Sequence, residues 1–145
     1  MSTVSKYYPF MMNQMIAGIN FTTDTIKAIG YKNDGNVTNR ALEFVGDITS
    51  TEVSGTNYTA GGATLANVTV TQSSGTYTIA ADNITWAVSP TGFADCRYVV
   101  LAQDTGNPAT SRLIGFIDLE VDSGNVTGSL IIDYTTPGTG VIYGD

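Results

Sequence analysis

Apolar and polar residues alternate in short runs along most of this chain, and turn residues interrupt the alternation every ten positions or so. Successive side chains of a strand point to opposite faces, so the alternation predicts β-strands with one buried face. TIKAIGY, from Thr25, is the first such run, and NDGN at 33–36 is a strong turn signal that ends it in a hairpin or an excursion. RALEFVGDI, 40–48, arranges Leu42, Phe44, Val45 and Ile48 between a helical turn and a short strand, with a docked loop as the third option. In TLANVTVTQ, Ala66, Val68 and Val70 fall on one face and Asn67, Thr69 and Thr71 on the other. SSG at 73–75 turns the chain, Tyr77 and Ile79 supply the next apolar face, and AADN breaks it before Ile84, Trp86 and Val88. The pattern predicts a meander of three strands.

SPTG at 89–92 is another turn, and YVVLA at 98–102 is apolar on both faces, as a central strand covered on each side would be. SRLIGFIDLEV sets Leu113, Gly115, Ile117, Leu119 and Val121 on a core face, opposite Arg112, Ile114, Phe116, Asp118 and Glu120. Leu130, Ile132 and Tyr134 share a face of VTGSLIIDY, and TTPGTG ends the regular pattern before a short VIY tail. Such short, turn-separated strands predict an all-β fold, an antiparallel β-sandwich of jelly-roll or Ig-like type. The N-terminus differs. Tyr8, Met11, Met12, Met15 and Ile16 fall at helical spacing, Pro9 suits a first turn and Gly18 a stop, so a short N-terminal helix is expected. It would cap the core or serve as a docking arm for a neighbouring subunit. Residues 1–145 then form a single domain, with 1–23 as its helix or arm.

Length and charge narrow the picture. A 145-residue chain can bury roughly two-thirds of the surface its unfolded form exposes. Charged residues are 13% of the chain, against about a quarter in typical soluble domains, and Thr, Gly, Ser and Asn dominate the polar positions. The net charge is −7 with only six Lys plus Arg, which are scattered. Phosphate backbones and anionic membrane surfaces are therefore poor partners, and no apolar run approaches the ~20 residues of a membrane-spanning helix. Pro9, Asn13 and Gln14 interrupt the apolar run a secretory signal needs, so none is expected. The sequons at Asn20, Asn36, Asn57, Asn67, Asn83 and Asn125 then follow from Asn/Thr-rich composition. A soluble protein or a virion component fits.

Candidate chemistry is sparse. Histidine is absent, which removes the commonest general base and zinc ligand. Cys96, the sole cysteine, opens an apolar run and reads as a small core residue, not a reactive thiol. YTAGGATL lacks the Lys-Ser/Thr ending of a phosphate loop, so Gly61 and Gly62 read as a turn. Asp118, Glu120 and Asp122 recur at a strand spacing of about 6.5–7 Å. A wet strand face is the first reading, a structural cation the second and catalysis the last. Trp86 with Tyr58 and Tyr77 has the residue types of a sugar-stacking platform, but Trp86 sits on the apolar face with Ile84 and Val88, which favours core packing. No catalytic, cofactor or metal residue is nominated, and an enzyme is not expected. Polar faces built from Thr, Ser and Asn leave strand edges unguarded, so partner chains are expected to cover some of them. The candidate docking residues are Tyr7, Tyr8, Phe10, Met11, Met12 and Met15 in the arm, and Asn67, Thr69 and Thr71 on the strand.

The order of segments resembles a family of small structural proteins of tailed bacteriophages. The resemblance runs through DTIKAIGY, EVSGTNYTAGGATLANVTVT, the ITW strand, RYVVLAQDTG with Asn107 and Ala109, LIGFIDL and VTGSLIIDY, and covers most of the chain beyond Asp24. Residues 31–48 and the Met-rich N-terminus depart from the family pattern. The resemblance implies a virion protein, foremost a capsid decoration (cement) protein on the capsid exterior, present in the host cytoplasm during assembly. Its implied partners are the major capsid protein and copies of itself, a homo-oligomer such as a trimer at local threefold positions. A tail, neck or fibre-associated structural protein is the alternative, followed by a carbohydrate-binding module on a host-recognition device.

Overall fold

Strands β2, Ile26–Tyr31, and β7, Cys96–Gln103, pair antiparallel along the whole of β2, from Ile26↔Gln103 to Tyr31↔Tyr98. The computed structural model that gives this pairing describes the backbone over residues 5–7, 18–73, 76–134 and 142–144, and the side chains over 18–70 and 79–134. Strand β8, Leu113–Ser123, lies on the other side of β7. Strand β1, Ser5–Tyr7, lies outside β8, and β3, Ala63–Thr64, outside β2. The five form one antiparallel sheet in the order β1-β8-β7-β2-β3.

β7 is the expected central strand, apolar on both faces because both are covered. Val99 and Leu101 enter one hydrophobic cluster; Tyr98, Val100 and Ala102 enter a second on the opposite face. The first cluster joins the large sheet to two smaller ones. Strands β4, Thr69–Ser73, β5, Thr76–Ala80, and β10, Ile142–Gly144, form a sheet in the order β10-β5-β4, and β6, Ile84–Trp86, pairs with β9, Leu130–Ile132. Ile79, Ile84, Trp86, Ile132 and Tyr134 pack there with Ile26, Ala28, Ile114 and Ile117. The fold is all-β and antiparallel, and among the described residues the only helical turn is a 3-10 turn at Val45–Asp47.

The second cluster is roofed by the excursion between β2 and Thr51. Val37 is buried in it, and Leu42, Val45 and Ile48 pack against Ile29, Tyr31, Tyr98, Val100, Leu113 and Phe116. RALEFVGDI is therefore a docked loop that carries the 3-10 turn, anchored by the bridge between Phe44 and Arg112 and by backbone bonds of Glu43, Val45 and Gly46 to Leu113, Ser111 and Pro108. The NDGN turn holds it closed through side chains. Asp34 Oδ1 accepts the Thr51 N–H at 2.8 Å, and Asn36 accepts the Thr49 N–H at 2.7 Å while donating to the Asp47 carbonyl at 2.9 Å.

Three expectations change. β4 and β5 form the hairpin foreseen at SSG, with Ser73 opposite Thr76, but β6 leaves to pair with β9, so there is no three-stranded meander. The break falls at AADN, where the Ala81 N–H bonds the Tyr134 carbonyl. β8 buries both faces because a hydrophobic cluster covers each side of the large sheet, and its register slips between Leu113↔Ala102 and Gly115↔Leu101. That bulge sends Ile114 to the first cluster and Phe116 to the second, while Val121, expected in the core, is 65% exposed. Asn67 adopts a left-handed φ of 53°, which ends the alternation, and β4 starts only at Thr69. Within the expected N-terminal arm, 5–7 is a strand and 18–23 is turn, whereas the helix expected from Tyr8 lies outside the described residues.

Candidate functional site

The run from Glu52 to Thr64 is one edge of the large sheet interrupted by a loop. Glu52 bridges Tyr31 and the Val53 N–H bonds the Gly30 carbonyl; beyond the loop, Ala63 and Thr64 pair with Ala28 and Lys27. Tyr58 closes the loop. Its hydroxyl donates to Glu52 Oε1 at 2.7 Å and accepts the Gly30 N–H at 3.0 Å, and the same Glu52 oxygen accepts the Gly61 N–H at 2.7 Å. The Tyr58 ring packs on Trp86 and Phe93 at centroid distances of 5.5 and 5.6 Å. Burial, then the hydrogen bond to Glu52, drives the Tyr58 phenol far above its ordinary pKa. Gly62 has φ 89° and passes so close to β2 that an added Cβ would lie 2.2 Å from the Ala28 carbonyl oxygen. The glycine pair is a turn, as its sequence implied, and the loop is a structural clamp.

The expected docking face of Asn67, Thr69 and Thr71 is not one strand face. Asn67 lies in the left-handed turn and donates to the Asp82 carboxylate at 2.7 Å. Thr69 is exposed at the start of β4, and Thr71 pairs with Thr78 at the strand centre. The backbone of β4 is the end of its sheet among the described residues. A groove of about 670 Å³ runs beside its first residues, lined by Val68, Thr69, Val70, Ile19 and Phe21. No Asp, Glu, Lys or Arg occurs between Glu52 and Asp82, and none occurs in β10. The whole β10-β5-β4 sheet is thus free of charge in a chain of net charge −7. That property escaped the strand-by-strand reading, although the uncharged run is visible in the sequence; its gathering into one sheet is not.

Of the arm residues, Tyr7 falls in β1 opposite Gly115, and Tyr8, Phe10, Met11, Met12 and Met15 lie outside the described residues. The three carboxylates of β8 do not make a site. Asp118 pairs with Arg97, Nε to Oδ1 at 2.6 Å, and accepts the Glu120 N–H at 2.7 Å. Glu120 has φ 70°, and the register jumps from Tyr98↔Asp118 to Cys96↔Ser123, so the alternation is lost. Among the described residues no three His, Cys, Asp or Glu gather closely enough to hold a metal ion. Trp86 is 3% exposed, in the core with Tyr58 and Phe93, and offers no stacking platform. Cys96 is fully buried and its thiol is pushed up to about 12 by burial.

A cavity of about 150 Å³ adjoins the Lys27–Asp104 ion pair, 3.2 Å apart, with Ile29, Val45, Ala102 and Pro108 in its wall. The Gly106 N–H, then Lys27, holds the Asp104 carboxyl below its usual range. Asn125, missed entirely as a functional residue of the fold, is fully buried despite its sequon. Its Oδ1 accepts the Phe93 N–H at 2.9 Å, and its amide donates to the carbonyls of Thr56 at 3.0 Å and Ala87 at 2.8 Å, tying three loops together. Comparison of the chain with protein-family models, with curated proteins and with solved structures gives no match.

Proposed function

We propose that this chain is a structural protein of a tailed-bacteriophage virion, a capsid decoration protein that binds the outer shell across joints between major capsid subunits. The observation that carries the reading is the charge-free β10-β5-β4 sheet on an otherwise acidic chain. A protein that binds in many identical copies gains from area and backbone hydrogen bonds. Thr-, Asn- and Val-rich strands supply both without stripping water from ions. The family resemblance of EVSGTNYTAGGATL, RYVVLAQDTG and LIGFIDL adds to this, since those segments are the clamped edge, the central strand and its neighbour. In this reading the chain is a single sandwich-like domain with jelly-roll or Ig-like connectivity, and the arm residues from Tyr7 to Met15 supply a second contact to the shell.

An image reconstruction of the particle tests the proposal. Density for this chain on the head exterior, at a stoichiometry of hundreds per particle, is the expected result. A few copies at a single vertex or on the tail would overturn it in favour of a neck, tail or fibre role.

A further inference from the structure

We infer that two copies of this chain pair through β4, edge to edge and antiparallel across a twofold axis, so that β10-β5-β4 continues into its symmetry mate. The partner is a second copy. This goes beyond the virion reading and does not depend on it.

Among the described residues β5 is the only strand partner of β4, so one row of its N–H and C=O groups along Thr69–Ser73 has no strand partner among them. Monomers guard such edges with lysine, proline or a bulge. β4 has none of these: its sequence is TVTQS, and its register with β5 runs unbroken from Thr69↔Ala80 to Ser73↔Thr76. The groove beside Thr69 is walled by the half-buried Val68, Val70 and Phe21 with Ile19, apolar surface that a second strand laid along β4 would cover.

Electrostatics selects the occupant. Each copy carries a net charge of −7, so most pairs of faces bring carboxylates together. The uncharged stretch between Glu52 and Asp82 is where two copies meet without like charges opposed, and β4 lies in its middle. An antiparallel strand set against itself is self-complementary, and in TVTQS only uncharged Thr, Val, Gln and Ser then face one another. A trimer would instead need β4 to meet a different edge of its neighbour.

Sedimentation equilibrium of the full chain, at low and high salt, tests the inference. The expected species is a dimer that tightens as salt rises, because screening removes the repulsion between the acidic remainders. Thr69 is exposed, so Thr69→Lys and Thr69→Glu should keep the fold by circular dichroism. Each should weaken the dimer at least about tenfold by opposing like charges, and mixing the two should restore a heterodimer. Thr85→Lys, on the exposed face of β6, should dimerise like the parent. A monomeric parent, a trimer, or a dimer untouched by both Thr69 variants would overturn the pairing.

Discussion

Tyr58 donates its phenolic proton to the Glu52 carboxylate at 2.7 Å, and that contact turns a Gly- and Thr-rich segment into a fixed edge of the large sheet. The same hydroxyl accepts from Gly30, so one side chain serves the loop and the strand beneath it. Tyr58→Phe leaves the Gly30 N–H without an acceptor and should cost about 1–3 kcal/mol. Tyr58→Ala also removes the ring between Trp86 and Phe93 and should cost about 3–5 kcal/mol. Glu52→Gln keeps an acceptor oxygen and should cost less than Glu52→Ala. Urea unfolding midpoints rank the four variants; a Tyr58→Phe midpoint equal to the parent's would remove the clamp from the account.

Stability should fall on the alkaline side. Burial, then the Glu52 charge, pushes the Tyr31 phenol up to about 12, burial pushes the Cys96 thiol up to about 12, and Tyr58 and Tyr134 are raised further. The unfolded chain releases these protons near the ordinary values of 9.0 for Cys and 10.0 for Tyr, while the folded chain keeps them. The unfolded state then binds fewer protons, so unfolding free energy declines as pH rises. The contribution is full below about pH 9 and is lost progressively through about pH 12. Denaturant titrations across that window check it, and a flat profile would contradict it.

Tyr134 is 1% exposed and its hydroxyl has no hydrogen-bond partner among the described residues. Tyr134→Phe removes a desolvated polar group while keeping the ring, so stability should hold or rise by about 1 kcal/mol. The alkaline slope should also lose one proton's worth of steepness. Calorimetry of the variant reads the first effect, and a drop in melting temperature would mean that the hydroxyl is satisfied in solution.

Asn125→Ala should be the costliest polar substitution, since it strands the Phe93 N–H and the Thr56 carbonyl and leaves the Ala87 carbonyl only its bond from the Asn57 amide. A loss of at least about 3 kcal/mol is expected. Asn125→Asp should do no better, because it sets a buried charge against two carbonyl oxygens. Thermal unfolding of both variants is the measurement.

Two glycines of similar φ separate backbone strain from crowding. Gly106, φ 85°, has nothing within 4 Å of an added Cβ, whereas at Gly62 the Ala28 carbonyl intervenes. Gly106→Ala should cost about 1–2 kcal/mol of left-handed strain. Gly62→Ala should cost clearly more and disturb the β2–β3 pairing, as hydrogen exchange at Ala28 would report.

What the sequence determined by itself was local. TIKAIGY, YVVLA and SLIID are strands because short apolar runs bounded by turn residues mark them locally, and YVVLA is central because both its faces are apolar. The same logic placed Trp86 and Cys96 in the core and the turns at NDGN and SPTG. The tertiary structure decided what depends on a distant partner. β6 pairs with β9 and not with β5, because the choice rests on backbone hydrogen bonds between residues some fifty positions apart, which leave no mark on either segment. The bulge at Ile114, the left-handed Asn67 and the clamp of Tyr58 on Glu52 have the same origin: each settles a conflict between local alternation and a long-range contact. The uncharged run belongs to both levels. Its composition is plain in the sequence, but only the sheet order brings β4, β5 and β10 together into one charge-free sheet, with β4 at its end among the described residues.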